Sequence, residues 1–251
     1  MPKLVILGTS NAIPDEKHEN THMALVGDEH MLLIDCVSNP IVRLRLAGLD
    51  IHCLTDLILT HFHPDHVSGV PLLLMDMWLL GRQSPLNIYG LAHTLDRIEA
   101  LMDFYEWSQW PNFFPVHFIR LPEEEMTPVM KNGEFHVYAS PVRHLVPTIG
   151  MRIEFPQTEH VMAYSCDTEP CPQVVDLAAG ANVLIHEATG ASLGHSSATQ
   201  AGEIARQAEV GKLFLIHYRT GDFDPQPLVE EAEQTFNGPV ALTHDFMEIE
   251  F

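Results

Sequence analysis

The stretch His61-Phe62-His63-Pro64-Asp65-His66 places three histidines and one aspartate within six residues, in the spacing H-x-H-x-D-H. Residues 54–60 precede it and have the composition of a buried strand, whereas residues 72–80 form an apolar run of helical length. The cluster therefore lies where a strand ends and a helix begins, a position that can direct several side chains toward one point. Imidazole and carboxylate are the usual ligands of zinc, manganese and iron, so the spacing predicts a metal site.

The four ligand candidates of this motif divide into two groups. In an extended chain, residues i and i+2 face the same side, so His61 and His63 can bind one cation together. Asp65 and His66 lie beyond the bend and suit a second, adjacent cation. A His-rich surface loop is the alternative interpretation, and the strand before the motif and the helix after it favour the metal site.

The length of 251 residues allows one large domain or two small ones, and the absence of a linker or low-complexity tract predicts a single domain over residues 1–251. Hydrophobic residues make up 46% of the chain, enough for a sizeable core. No run of 18 apolar residues occurs, which argues against a membrane span. The amino-terminal residues lack the long apolar core of a signal peptide. The four cysteines show no C-x-x-C spacing, so we expect reduced thiols in a cytoplasmic protein.

The net charge limits the substrate class. The chain carries 34 acidic and 13 basic residues, a formal net charge of −21, and it has no run of lysine or arginine. Such a surface repels long polyanions unless a local basic patch intervenes. The charge therefore disfavours nucleic acid as a substrate without excluding it.

The order of the expected elements indicates the architecture. Short apolar strands with few helices fill the first half, and the second half repeats that style, which predicts two packed sheets with helices outside, a four-layer αββα sandwich. Residues 102–118 stand apart because they contain seven aromatic residues. Core, a lid over the site and a subunit interface are all open interpretations of that segment.

Three further ligand candidates occur at expected strand ends downstream. His144, Asp167 and His217 each follow an apolar run and precede a turn. With the first motif they complete a binuclear set. We expect one ion to be held by His61, His63 and His144, and the other by Asp65, His66 and His217. Asp167 is expected to bridge the two ions, because a carboxylate has two oxygens and an imidazole has only one free nitrogen.

These motifs resemble the metallo-β-lactamase superfamily and, within it, the ribonuclease Z branch. The segments that carry the resemblance are Leu33-Ile34-Asp35-Cys36, Thr60 to His66, Tyr164-Ser165-Cys166-Asp167-Thr168, His186-Glu187-Ala188-Thr189 and Gly194-His195-Ser196-Ser197-Ala198. The resemblance implies that Asp35 orients the metal-binding loop through hydrogen bonds. It also implies a homodimer and a catalytic pair formed by Glu187 and His195.

The residues around His195 are consistent with that pair. Ser197 and Gln200 have the spacing of a capping box, which places His195 just before a helix N-terminus that can hold a phosphate oxygen. Glu187 could accept a hydrogen bond from His195 and raise its basicity. A protonated His195 could then protonate a leaving oxygen. A surface histidine beside a helix cap is the alternative.

The sequence therefore predicts a binuclear metal-dependent hydrolase. Two divalent ions, expected to be zinc with manganese or iron as alternatives, would share a hydroxide that attacks phosphorus, and Asp65 would also orient this nucleophile. We expect a phosphodiesterase acting on small or medium substrates. The alternatives are a ribonuclease Z-type tRNA 3′-processing endonuclease and a non-catalytic metal or ligand sensor.

The sequence departs from the ribonuclease Z pattern in four places, and the first two departures favour the small substrate. His144 and Asp167 are only 23 positions apart, which leaves no room for the arm that grips tRNA in that branch. The loop at residues 14–20 is mostly acidic where the branch has a basic pattern. Cys36-Val37-Ser38 replaces a Gly-Glu-Gly, and Cys166 replaces a glycine. Cys166 is expected to be a small buried residue, with contact to the metals as the alternative.

Overall fold

Two seven-stranded sheets form the centre of the protein, whose structure is a computed structural model that describes residues 1–251. The strands of the first sheet are β1 (Lys3–Gly8), β2 (His22–Val26), β3 (Met31–Ile34), β4 (Leu54–Ile58), β5 (Leu86–Leu91), β6 (Val116–Leu121) and β14 (Glu248–Glu250). Those of the second are β7 (Thr127–Lys131), β8 (His136–Val142), β9 (Thr148–Phe155), β10 (His160–Tyr164), β11 (Val183–Glu187), β12 (Lys212–Ile216) and β13 (Val240–Leu242).

Seven helices cover the outer faces of the sheets. They are α1 (Pro40–Leu46), α2 (Pro64–Val67), α3 (Val70–Leu79), α4 (Ala92–Phe104), α5 (Pro172–Ala178), α6 (Ala198–Gln207) and α7 (Gln226–Phe236). No helix is long and apolar enough to cross a membrane.

The strand directions bring many carboxyl ends to one edge of the molecule. The first sheet is ordered β14-β1-β2-β3-β4-β5-β6, with β3 to β6 parallel, and the second is ordered β13-β12-β11-β10-β9-β8-β7, with β10 to β13 parallel. Strand β8 runs in the same direction as β10, because each is antiparallel to β9. Side chains that follow β4, β8, β10 and β12 can therefore meet at one place.

Three apolar clusters separate the four layers. A cluster of 24 buried residues lies between the sheets. Another, of 23, packs the first sheet against its helices, and a third, of 19, does the same for the second sheet. Burial of this apolar surface is the main favourable contribution to folding. The predicted αββα sandwich is confirmed by this arrangement and by the solved structures described below.

The helix predicted for the apolar run at residues 72–80 is present as α3, and a short helix, α2, precedes it. Gly69 separates α2 from α3, and a Cβ atom at Gly69 would lie 2.7 Å from the backbone of Val37. The close approach of these two segments therefore requires a glycine. Strand β5 runs directly into α4, and Leu91 occupies the N-cap position of that helix.

The aromatic segment 102–118 packs at the end of the first sheet opposite the carboxyl ends of its parallel strands. Its last residues lead into β6, and the Leu86 amide at the start of β5 donates to the Pro115 carbonyl. The Trp110 ring stacks on Trp78 with 5.0 Å between centroids. Phe114 is buried, whereas Phe104 and Tyr105 are exposed. The segment therefore lies on the outer face of the first sheet, partly buried, and is not a lid over the predicted metal site.

Candidate metal centre

Three imidazoles converge where the two sheets meet. His61 and His63 follow β4 of the first sheet, and His144 follows β8 of the second. The Nδ1 atom of His63 lies 3.0 Å from Nε2 of His61 and 3.2 Å from Nε2 of His144. Burial lowers the pKa of all three side chains, and neighbouring imidazoles lower it further. Neutral rings whose lone pairs face one another suit a cation between them.

A second group of ligand atoms lies beside the first. The ligand atoms of Asp65, His66 and His217 all lie within 4.8 Å of one another. Nε2 of His66 is 3.7 Å from Oδ2 of Asp65. Asp65 and His66 come from the turn after β4, whereas His217 follows β12. Like the first group, the second therefore takes atoms from both sheets.

Asp167 faces both groups through a single oxygen. Its Oδ2 atom lies 3.2 Å from Nε2 of His217 and 3.5 Å from Nε2 of His66. The same oxygen is 4.0 Å from Nε2 of His61 and from Nε2 of His144. Burial alone would raise the pKa of Asp167, but the two nearer histidines hold it well below its usual range. The position is the one expected of a bridging carboxylate.

Asp35 fixes the orientation of ligands in both groups. Its Oδ2 atom accepts hydrogen bonds from Nδ1 of His66 at 2.7 Å and from the Thr60 hydroxyl at 2.8 Å. Because the Thr60 hydrogen is directed to Asp35, its Oγ1 atom can accept from Nδ1 of His61, 3.1 Å away. Both rings therefore carry their proton on Nδ1 and turn Nε2 toward the site. Burial would lower the pKa of His66, yet Asp167 and Asp35 raise it well above its usual value.

The main chain fixes His144 in a similar way. Nδ1 of His144 donates to the Gly194 carbonyl at 2.7 Å, which leaves its Nε2 atom facing the site. A Cβ atom at Gly194 would lie 2.9 Å from that Nδ1 atom, and the backbone φ there is +83°. A glycine is needed for both reasons.

Glu187 and His195 form a hydrogen-bonded pair at the rim of this centre. Glu187 is fully buried at the end of β11, and its Oε1 atom accepts from Nδ1 of His195 at 3.0 Å and from the Ser196 amide at 2.9 Å. Burial would lower the pKa of His195, but the hydrogen bond and charge of Glu187 raise it. The His195 side chain is 18% exposed and can reach a bound substrate. The capping box of Ser197 and Gln200 is present at the start of α6.

The residues present fit divalent cations. Nε2 of His66, Oδ1 of Asp167 and Nδ1 of His217 are buried without a hydrogen-bond partner. Buried polar atoms of this kind normally have a partner, and the imidazole and carboxylate donors are those that zinc, manganese and iron prefer.

A comparison with known families agrees with this geometry. The family model described as the beta-lactamase superfamily domain matches residues 30–218 of the chain. The chain belongs to the beta-lactamase superfamily.

Relatives within the superfamily indicate which kind of hydrolase this chain resembles. The chain is 29% identical to a ribonuclease Z of Methanothermobacter thermautotrophicus, covering 100% of this chain and 97% of the relative. The alignment extends over 308 positions although this chain has 251 residues, so the relative contains insertions. The crystal structure of the short form of human tRNase Z superimposes with a TM-score of 0.79 at 25% identity, covering 99% of this chain and 98% of that one.

A more distant structure confirms the fold alone. The metallo-beta-lactamase fold protein YhfI from Bacillus subtilis has a TM-score of 0.83 at 22% identity and covers 100% of this chain and 99% of its own. Family and relatives together identify the chain as a metal-dependent hydrolase similar to ribonuclease Z. The seven ligand candidates and the Glu187–His195 pair from the sequence are all brought together in the structure.

Sequence reasoning missed several residues around the site. The hydrogen-bonding role of Thr60 and the carbonyl of Gly194 were not expected, although both residues directly precede a histidine of a recognised motif. His22 is 1% exposed, and burial lowers its pKa to about 4. Cys166 is fully buried, as expected from the sequence, and burial raises the pKa of its thiol well above the usual value.

Proposed function

We propose that the protein is a binuclear metal-dependent phosphodiesterase of the ribonuclease Z type, which cleaves a phosphodiester bond in RNA during tRNA 3′ processing. The observation that carries this proposal is the oxygen of Asp167 placed between two groups of ligands, with the Glu187–His195 pair at the rim. The ribonuclease Z relatives favour this function over the small-substrate phosphodiesterase expected from the sequence.

The ligand roles follow the two groups of converging atoms. We assign one ion to His61, His63 and His144, and the other to Asp65, His66 and His217, with Asp167 shared. These are the roles assigned from the sequence. Zinc is the proposed metal because imidazoles dominate the donor set. When bound, such ions polarise a phosphoryl oxygen and make water nucleophilic near neutral pH.

Glu187 and His195, at the rim of the centre, provide the proton transfer to the leaving oxygen. Glu187 raises the pKa of His195, and the protonated ring can stabilise negative charge that develops on the phosphoryl oxygens and donate its proton to the leaving oxygen. Glu187 accepts four hydrogen bonds, from Nδ1 of His195 and from the amides of Thr168, Thr189 and Ser196. These contacts fix the position of the carboxylate and the orientation of the His195 ring. The Asp65 side chain is 15% exposed and can orient the attacking water.

Substrate binding in this chain must work without an arm. Only residues 143–147 connect β8 to β9, the region in which the ribonuclease Z pattern carries its tRNA-binding insertion. Two arginines adjoin ligands of the centre. Arg143 directly precedes His144, and Arg219 lies two residues after His217, with its guanidinium 5.4 Å from the Phe223 ring. We propose that they contact phosphates of the RNA near the cleaved bond.

A small or medium phosphodiester is the second candidate substrate. The short β8–β9 connection and the net charge of −21 both favour it, because a long polyanion gains little from this surface. The complete ligand set and the catalytic pair argue against a non-catalytic sensor. The homodimer implied by the sequence resemblance also remains a proposal.

The decisive experiment compares two substrates with the zinc-loaded protein. Precursor tRNA with a 3′ trailer and bis(p-nitrophenyl) phosphate are incubated separately with wild type and with the His63→Ala and Asp65→Ala variants. Cleavage of the tRNA at its 3′ side by wild type, lost in both variants, would support the proposal. Cleavage of the small diester alone would favour the second candidate, and full activity of either variant would refute the catalytic role of the centre.

A further inference from the structure

Cys166 occupies a backbone position that usually belongs to glycine. Its φ is +55°, in the left-handed region that non-glycine residues rarely adopt, and the residue is fully buried immediately before Asp167. A side chain retained at such a position marks a local requirement, and its contacts show what that requirement is.

The thiol contacts the outward edge of a metal-ligand candidate. Sγ of Cys166 lies 3.7 Å from Nδ1 of His61, within hydrogen-bond range for sulfur. The other nitrogen of that ring, Nε2, faces Nδ1 of His63 at 3.0 Å. The thiol and the converging lone pairs are therefore at different nitrogens of one imidazole.

The proton on Nδ1 of His61 has a second acceptor. Oγ1 of Thr60 lies 3.1 Å from Nδ1, and its own hydrogen is directed to Asp35. A single hydroxyl oxygen fixes one direction of the ring, whereas an oxygen and a sulfur together limit its rotation. Sulfur is a weak acceptor, so its contribution lies mainly in fixing the orientation of the ring.

We propose that Cys166 is a positioning residue that fixes the tautomer and orientation of His61, so that Nε2 is presented to the first metal ion. This inference rests on the proposed metal centre, and it assigns the thiol no direct bond to the ion. Residues that orient metal-ligating histidines from behind typically change metal affinity by 10–100-fold when they are removed. Because Thr60 remains in place, we expect the lower end of that range.

Three substitutions separate positioning from packing. Cys166→Ala removes the sulfur and keeps the left-handed strain, Cys166→Gly removes the sulfur and relieves the strain, and Cys166→Ser keeps a polar atom at the same place. Zinc affinity is measured by competition with a chromophoric chelator, and the melting temperature is measured on the metal-free proteins. Long-range ¹H–¹⁵N correlation spectra report the tautomer of His61.

A positioning role and a packing role of Cys166 predict different zinc affinities for the three variants. We expect Cys166→Ala and Cys166→Gly to lose about the same zinc affinity, roughly tenfold for one of the two ions, although the glycine variant is the more stable of the two. Cys166→Ser should recover part of the affinity. If zinc affinity instead follows melting temperature across the three variants, Cys166 has a packing role only and the proposal is wrong.

Three further outcomes are decisive. A thiolate-to-metal charge-transfer band in the cobalt-loaded wild type, absent from Cys166→Ser, would show that the sulfur is a ligand and would overturn the proposal. If wild type binds no divalent metal, the proposed metal centre fails first. If wild type binds two ions and the variants match it, only the role of Cys166 fails.

Discussion

Replacing Asp35 with asparagine should weaken the hydrogen bonds that orient His66 directly and His61 through Thr60. The carboxylate accepts from the Thr60 amide at 2.8 Å, from the Thr60 hydroxyl and from Nδ1 of His66 at 2.7 Å. In Asp35→Asn, the remaining oxygen can still accept from the amide and the hydroxyl of Thr60, but the new NH₂ group faces the Nδ1–H donor of His66. His66 can answer only by moving its proton to Nε2, which removes the lone pair that faces the site.

The size of the effect follows from the bonds lost. A hydrogen bond to a charged group contributes about 1.5–3 kcal/mol, and Asp35 is fully buried, so solvent does not compensate for the loss. If most of that energy is lost from metal binding, zinc affinity falls about 10–100-fold. Competition titration with a chelator measures the affinity of each ion, and ¹⁵N shifts report the tautomer of His66.

A matched control is available in the neighbouring strand. Asp56 is 3% exposed and accepts from Asn87 and Tyr89 near the start of β4, away from the ligands. Asp56→Asn should reduce stability yet leave zinc affinity within about twofold of wild type. Wild-type affinity for both ions in Asp35→Asn would refute the reasoning, and so would an equal loss in both variants.

Other consequences of the structure can be measured directly. Because Glu187 raises the pKa of His195, cleavage that needs the protonated ring should decline as pH rises through that pKa, and Glu187→Gln should move this decline to lower pH in a pH–rate profile. Gly194→Ala should lower the melting temperature by an amount equivalent to about 1–2 kcal/mol, since φ there is +83°. Burial would raise the pKa of Glu134, but bonds from His30 and backbone amides lower it. The stabilisation is therefore present above the unfolded pKa, about 4.3, and is lost as pH falls through the folded value. Urea midpoints between pH 3 and 6 should consequently fall less steeply in Glu134→Gln than in wild type.

The sequence indicates the ligand set because metal chemistry restricts residue type and spacing. A ligand at the end of an apolar strand can be recognised without knowing its partners, as with His144 and His217. The contacts that orient those ligands join residues that are far apart in the sequence. The contact of Sγ of Cys166 with Nδ1 of His61 spans 105 positions, and no local pattern records it. The bond from His144 to the Gly194 carbonyl spans 50 positions.

Sequence rules that consider only neighbouring residues miss the helix boundaries that are determined by contacts between distant segments. Thr94 is a residue type that often caps a helix, yet strand β5 continues to Leu91 and helix α4 starts immediately after it. The short helix α2 lies outside the predicted apolar run, and it is followed by Gly69, which must lie against the backbone of Val37. Neither constraint is visible within a window of a few residues.

The ions proposed here would connect two halves of the polypeptide at an edge where the Ile149 amide already donates to the Thr60 carbonyl at 3.2 Å. Four of the seven donors are supplied before residue 70 and three after residue 140. A fragment that ends between the sheets would therefore retain an incomplete donor set, however well it folded. During synthesis on the ribosome, the first proposed site lacks its shared carboxylate until Asp167 has emerged, and the second lacks a donor until His217 has emerged.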